Sequence, residues 1–526
     1  MTDMNYPLME FPTLNELFSN ALDRYGDRTA ARFQDSEITY GELDRKSNAV
    51  ARNLRDSGVE PGDRVVLLMN NRLEYVTAML GIVKSGGVMM PLNSMLANDD
   101  YEYMINDGDA DYGVFGPLFH GRVDDLEIDL ETKFGITRDG SDTPEGYVGF
   151  TEVETHPEDD SPPDVDVTSE DPVGQFYTGG TTGKPKGVVH TNGALTANAY
   201  SHLTELDIEG GDRLLLMTPL THSAGAFLWS SLLMGAESLI RSGFDPERTL
   251  EDIDEFDVTW TFMVPTMIYQ VLDHPDIDVY DTSSLDSLIY GAAPIAPSRL
   301  EEGIDVFGNV FQQFYGQTEV PNLITALDSH DHRKALEEDT GILRSAGKPC
   351  LMNQVEVLGD DGEVKSKGEG EIAVRSPYVM EEYYGLPEKT RETKVDGWIR
   401  TGDVGRKDED GYVYLLDRKS DVIVSGGMNV YSTKVEDALV EHPDLRDAAV
   451  IGVPSDKWGE EVTAVVSTKG EVSETELIEF VESGLADYEK PKSVVFRDSL
   501  PRTPYGKVDK KQLREPYWED EEREVS

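Results

Sequence analysis

The chain has 526 residues, too many for one hydrophobic core, so at least two domains are expected. It carries 102 acidic against 47 basic residues, a net charge of −55, which argues against binding nucleic acid or an anionic membrane. The single cysteine, Cys350, excludes a disulfide framework and a thiolate zinc site and fits a reducing cytoplasm.

Thr13 and Glu16 have capping-box spacing and open a helix with Leu14, Leu17, Phe18 and Leu22 on one face, ending near Gly26. Thr39 and Glu42 repeat the pattern for a helix that ends near Gly58. Pro61-Gly-Asp63 turns into the apolar run 65–69, and a helix over 74–84 with a strand at 88–90 completes a β-α-β unit. Residues 154–171, rich in Glu, Asp and Pro, read as solvated loop. Next comes 177–187, Tyr-Thr-Gly-Gly-Thr-Thr-Gly-Lys-Pro-Lys-Gly, with four glycines, three threonines and two lysines. Glycines let successive N–H groups point at an anion. Thr178, Thr181 and Thr182 add hydroxyls, and Lys184 and Lys186 add charge, as a polyphosphate loop needs. It is not a Walker A loop, since Pro185 follows Gly183-Lys184 and Thr178 stands at the first glycine.

Pro219-Leu-Thr-His-Ser-Ala-Gly225 makes no Gly-x-Ser-x-Gly nucleophile elbow. A strand over 258–264 precedes Pro265, which suits the first position of a helix. Strands over 285–290 and 310–314 lead into Gly291-Ala-Ala-Pro294 and Tyr315-Gly-Gln-Thr-Glu319. His330-Asp-His332 has metal-ligand residue types but lies in a highly charged stretch and reads as solvated loop. Gly368-Glu-Gly370 has no helix signal after it, and Thr401-Gly-Asp403 alone is a turn. Gly426-Gly427 has the composition of a hairpin turn. Pro501-Arg-Thr-Pro-Tyr-Gly-Lys507 is an extended loop able to deliver one long side chain. The acids are spread among apolar segments, which indicates a solvated shell over an ordinary core, as in proteins of concentrated salt. With no apolar run of membrane-spanning length and no signal peptide, a soluble protein of a halophilic cytoplasm is expected.

From about residue 12 to 514, this ordered set resembles the signature of the adenylate-forming superfamily of acyl-CoA synthetases, luciferases and peptide-synthetase adenylation domains. The resemblance implies an α/β fold. A large N-terminal domain of packed β-sheets flanked by helices would span 1–418, and a small mobile α+β lid 419–526. It assigns Thr178, Gly179, Gly180, Thr181, Thr182, Gly183 and Lys186 to the ATP phosphates. Gly291, Ala292, Ala293, Tyr315, Gly316, Gln317 and Thr318 fall to AMP, with Tyr315 stacking on adenine. Glu319 would bind Mg²⁺, Asp403 the ribose hydroxyls, and Arg418 ribose or phosphate. Lys507 would bridge carboxylate and α-phosphate, completing a catalytic set with Thr178 and Glu319. His222, as a gate, with Gly225, Thr266 and Val320 would form the acyl pocket, and Gly426 and Gly427 would line the route of CoA. Three positions depart from the common pattern: Ala292 replaces glycine, Gly179 serine, and Ser420 the usual Asp or Lys of the hinge.

The implied reaction joins an acid to ATP as acyl-AMP and then to CoA. Its nucleophile is already an anion, so the task is to bring two anions together with positioned charge rather than to supply a base. The wall segments 222–228, 262–267 and 320–323 are mostly apolar, so fatty acids are the first expectation and aromatic acids the second. A stand-alone adenylation domain, a luciferase-like oxygenase and a non-catalytic acyl-binding relative are the alternatives. The short stretch after Lys507 leaves no carrier domain, and Glu319 with Lys507 weighs against a non-catalytic role. Acid, ATP and CoA are the expected partners, and a homodimer is left open.

Overall fold

In the computed structural model, which describes residues 11–137, 141–155, 161–178, 184–359, 362–481, 484–502 and 508–518, both capping boxes form. Thr13 Oγ1 accepts from the Glu16 N–H at 3.2 Å and Thr13 N–H donates to Glu16 Oε2 at 2.8 Å, opening Leu14–Arg24. Thr39 does the same for Tyr40–Asp56. The strands Arg64–Leu68 and Val88–Pro91 pair in parallel across the helix Leu73–Lys84, the expected β-α-β unit. Val65, Val66, Leu67 and Leu68 are wholly buried, which explains a continuous apolar run rather than an alternating one. That helix is buried on every side from Tyr75 to Lys84. Buried Lys84 is matched by Asp44 at 2.7 Å, with Ser47 and Asn48 accepting its remaining protons.

The chain divides into two units: Met1–Thr178 with Lys186–Gln354 and Arg375–Gly397, and Gly179–Pro185 with Val355–Val374 and Trp398–Ser526. The first unit holds a nine-stranded and an eight-stranded sheet. In the nine-stranded sheet Phe311–Gln317, Ser287–Gly291, Trp260–Met263 and Arg213–Leu216 lie side by side in parallel. The chain leaves Arg213–Leu216 for Glu237–Ile240 on one side and returns to Trp260–Met263 on the other. Strand order therefore reverses there, and in such sheets ligands bind outside the carboxyl ends at that point. At the edge of the eight-stranded sheet, Lys186–Thr191 pairs antiparallel with both Pro172–Thr178 and Glu382–Tyr383.

The second unit contains the antiparallel pair Trp398–Lys407 and Val413–Arg418 and a separate five-stranded sheet built on the long hairpin Leu445–Ser455 and Gly459–Thr468. Helices Ser432–Val440 and Glu474–Val481 cover that sheet over a core of its own, including Val435, Leu439, Val450, Val462 and Leu477. The architecture is the expected α/β fold with a smaller α+β C-terminal part. Among the described residues, no helix is long and apolar enough to cross a membrane.

One reading is corrected. Residues 330–332 lie not in a solvated loop but in the helix Ser329–Glu337, capped by Asp328, whose side chain accepts from Asp331 N–H at 2.7 Å. His332 is buried, donating from Nδ1 to the Asp328 carbonyl at 2.6 Å and accepting at Nε2 from the Tyr290 hydroxyl at 2.9 Å. Of the charged side chains in this segment, Asp328, Arg333 and Glu337 are exposed, whereas Asp331 is buried and paired with Lys348 at 3.3 Å.

Candidate active site

Residues singled out from the sequence gather along one edge of the nine-stranded sheet, because four neighbouring parallel strands end there. After Leu216 the chain reaches His222, the exposed N-cap of helix Ser223–Met234, and Gly225 in its first turn. A Cβ on Gly225 would lie 2.3 Å from the Leu220 carbonyl, so only glycine closes that turn. After Met263, Pro265 starts helix Pro265–Leu272 and leaves Thr266 exposed. After Gly291 come Ala292 and Ala293, and Phe311–Gln317 carries Tyr315, Gly316 and Gln317 at its end. Thr318 and Glu319 then turn into Val320–Leu327, where Val320 is wholly buried.

Backbones touch at this edge. A Cβ on Gly291 would meet the Phe314 carbonyl at 2.5 Å, and one on Gly316 the backbone carbon of Asn322 at 2.3 Å. Ala292 and Asn322 both take left-handed conformations, φ 66° and 59°. Asparagine tolerates that region; alanine is strained in it. Between them lies a cavity of about 60 Å³ lined by Ser223, Phe227, Phe262, Gly291, Ala292, Phe314, Gly316 and Asn322. The Phe227 ring centroid is 5.2 Å from that of Phe262 and 6.4 Å from that of Phe314. Among the described residues, no charged side chain lines this cavity, and His222, Gly225, Thr266 and Val320 are not part of its wall.

Glu319 is a buried carboxylate. Its Oε1 accepts from the Tyr383 hydroxyl at 2.6 Å and its carbonyl accepts from Met380 N–H at 2.8 Å. The Lys186 ammonium sits over the Tyr383 ring, 4.3 Å from its centroid. Burial, then the Glu319 charge, raises the Tyr383 pKa, so its hydroxyl stays a donor. Burial lowers the Lys186 pKa, against the pull of Glu319. Thr178 ends its strand opposite Lys186, and its buried Oγ1 has no hydrogen-bond partner among the described residues.

Behind this turn stands a set of buried side chains. His190 Nε2 donates to the Thr318 carbonyl at 2.8 Å, Asn198 Nδ2 to that of Pro321 at 2.8 Å, and the Tyr378 hydroxyl to that of Leu323 at 2.5 Å. His202 Nδ1 donates to the Asn198 carbonyl at 2.9 Å, leaving Nε2 to accept from Asn322 Nδ2 at 3.4 Å. Burial pushes the pKa of His190 and of His202 down to about 4, so both rings are neutral at pH 7.

In the second unit, Asp403 and Arg418 face each other across paired strands, Arg418 Nε 2.7 Å from Asp403 Oδ1. Asp403 is buried, and its N–H donates to Thr401 Oγ1 at 3.1 Å. Gly426 and Gly427 form the two-residue turn of a hairpin between Ile423–Ser425 and Met428–Val430, with φ 60° and 79°. Two positive φ values identify the type I′ turn that matches strand twist. Gly426 lies against Trp458, where a Cβ would come within 3.1 Å of Cε3, whereas a Cβ on Gly427 would meet nothing within 4 Å.

Gly179, Gly180, Thr181, Thr182, Gly183 and Lys507 lie outside the described residues. Sequence reasoning missed His190, Asn198, His202, Tyr378 and Tyr383. Tyr383 meets Glu319 from 64 positions away and His190 meets Thr318 from 128, separations at which no local pattern speaks.

The AMP-binding enzyme family profile matches residues 18–384, and the AMP-binding enzyme C-terminal domain profile residues 434–507. The chain is 36% identical to the medium/long-chain-fatty-acid–CoA ligase FadD8 of Mycobacterium tuberculosis, over 99% of this chain and 93% of that one. It is also 36% identical to a feruloyl-CoA synthase of an Amycolatopsis species, over 92% and 95%. The solved structure of the amide bond synthetase McbA from Marinactinospora thermotolerans superposes with a TM-score of 0.86 at 31% identity, covering 95% of this chain and 99% of that one. With its motifs, its two-part fold and these matches together, the chain belongs to the AMP-binding enzyme family, within the adenylate-forming superfamily, as an enzyme of the acid–thiol ligase class.

Proposed function

We propose that this enzyme activates an apolar monocarboxylic acid, a fatty acid first of all, as acyl-AMP and transfers it to CoA. The observation that carries this reading is the uncharged, three-phenylalanine cavity at the sheet edge, beside the Glu319–Tyr383–Lys186 cluster. A second carboxylate or an ammonium there would be buried without a partner, at a cost of several kcal/mol. An aromatic acid is the second reading, favoured by the three rings, against which a flat substrate can stack.

In the first step a carboxylate oxygen bonds to the α-phosphorus and the bond to the leaving pyrophosphate breaks. Lys186, the Thr178 hydroxyl and the backbone of 179–183 hold the phosphates. The buried Glu319 carboxylate suits Mg²⁺, which takes carboxylate, phosphate and water oxygens and, when bound, offsets phosphate charge. Gly291–Ala293 and Tyr315–Thr318 receive the adenine, Asp403 and Arg418 the ribose, and Lys507 the meeting point of the two anions. In the second step the CoA thiol attacks the acyl carbonyl and AMP leaves, with Gly426 and Gly427 beside its path. We place the domain boundary after Arg418, with residues 419–526 as the lid, and the enzyme in a halophilic cytoplasm.

The test is pyrophosphate release across a panel of fatty, aromatic, amino and dicarboxylic acids, with acyl-CoA formation read separately. Fatty or aromatic monocarboxylates should lead; amino acids or dicarboxylates in the lead would sink the assignment. Lys507→Ala should lower acyl-AMP formation on the order of 10²–10³-fold and spare thioester formation from supplied acyl-AMP.

A further inference from the structure

A lysine and a glutamate brought together in a poorly solvated site attract each other strongly, and a contact pair would neutralise both. A site for polyphosphate and its cation needs the two charges presented separately. Tyr383 offers each a different seat: the ring face takes the Lys186 ammonium at 4.3 Å, and the hydroxyl holds Glu319 Oε1 at 2.6 Å. Its position is fixed independently on both sides. Tyr383 is in register with Val188 on the strand that Lys186 begins, and Met380 N–H donates to the Glu319 carbonyl at 2.8 Å. Tyr383 is buried, and Lys186 beside it is half-buried.

We propose that Tyr383 is a positioning residue that fixes the Glu319 carboxylate for a divalent cation while holding the Lys186 ammonium apart from it for the phosphates. The inference rests on the reading of Glu319 as the cation's ligand. Its two halves separate by substitution. Tyr383→Phe keeps the ring and removes the hydroxyl; Tyr383→Leu removes both.

The full-length enzyme is titrated with Mn²⁺ in the presence of ATP and the absence of acid, free Mn²⁺ being read by electron paramagnetic resonance. ATP affinity is measured separately in EDTA. Tyr383→Phe should weaken Mn²⁺ binding about ten-fold, the scale of one hydrogen bond to a charged group, and leave ATP affinity in EDTA unchanged. In turnover, the half-saturating Mg²⁺ concentration should rise by a similar factor while the rate at saturating Mg²⁺ stays within about two-fold of the parent's. Tyr383→Leu should in addition lose about three-fold in ATP affinity in EDTA, the scale of a cation–π contact. Tyr384→Phe, which alters a hydroxyl bonded to Asp109 instead, should change neither binding constant. Melting midpoints taken alongside report any loss of fold. Unchanged Mn²⁺ affinity in Tyr383→Phe, or an equal loss of ATP affinity in EDTA, overturns the proposal. Glu319→Gln separates the two levels. If it loses Mn²⁺ and Tyr383→Phe does not, only the role of Tyr383 falls; if it retains Mn²⁺, the cation reading of Glu319 falls with it.

Discussion

Ala292 shows how a single departure becomes physical. The resemblance marks it as a departure from the superfamily's common glycine; the left-handed backbone that makes the exchange costly is not legible in the sequence. Ala292→Gly should raise unfolding free energy by about 0.5–1 kcal/mol, the left-handed penalty less the extra chain entropy of glycine. Urea denaturation checks this, and no gain would mean that the φ of 66° carries no strain. Three further residues contribute to the acid sensitivity of the fold. His190, His202 and His332 are buried with pKa values of about 4, against 6.5 for the free side chain. Between those values the unfolded chain binds protons that the folded chain refuses, so stability falls as pH drops from about 6.5 toward 4. Each imidazole accounts for roughly 3 kcal/mol over that window. Unfolding curves at pH 7, 6 and 5 should show this decline, and His332→Gln should make it shallower by up to one proton. A slope unchanged by that substitution would exclude His332 from the effect.

Among the elements, the hairpin at Gly426-Gly427 was legible as a turn from composition alone, and the structure makes it a type I′ turn. Gly427→Leu has room for its side chain, since nothing lies within 4 Å of the Cβ position, but its φ of 79° adds about 1–2 kcal/mol of strain. Gly427→Asn keeps a residue that accepts this conformation. Both should release pyrophosphate normally, and both should be slow in acyl-CoA formation from synthetic acyl-AMP if bulk on the thiol's route is the cause, leucine more so. Wild-type thioester formation in the asparagine variant, with failure in the leucine one, would assign the loss to turn strain. The capped helices and the β-α-β unit were equally legible, because each is decided within a few residues. The buried props of the 318–323 turn were not, because His190, Asn198, His202 and Tyr378 act on backbone carbonyls and side chains that only the tertiary fold brings near. His332 was misjudged for the complementary reason: its neighbours in sequence are charged, while its ring is buried against Tyr290, which only the tertiary fold brings near.

For the whole molecule, charge is the dominant variable. A net charge of −55 repels itself at low ionic strength, and screening shortens from about 10 Å at 0.1 M salt to about 3 Å at 1 M. Melting temperature and activity should therefore climb with KCl into the molar range. A melting temperature that is flat or falls between low and molar salt would refute the halophilic reading. Substrate capture should respond in the same direction, since ATP, CoA and the acid are all anions approaching an acidic surface. The rate of ATP association should rise with salt, the reverse of ordinary electrostatic steering.

The gathering of the site at the ends of four parallel strands separates what the enzyme must keep from what it can change. The strands themselves are packed into the core, and their order cannot shift without unfolding the sheet. On the reading proposed above, selectivity for the acid would reside in a few ring-bearing positions, notably Phe227 and Phe262, set on and between those ends. Phe227 and Phe262 are also part of the buried core, so a change there alters packing as well as the shape offered to the acid, and volume-conserving exchanges are the ones that leave the sheet intact. A fatty-acid ligase and a feruloyl-CoA synthase standing at the same 36% identity to this chain, each aligned over more than nine-tenths of it, are the pattern such a partition produces. On that reading, acid preference is written in the lining of one cavity, on a frame that the core holds in place.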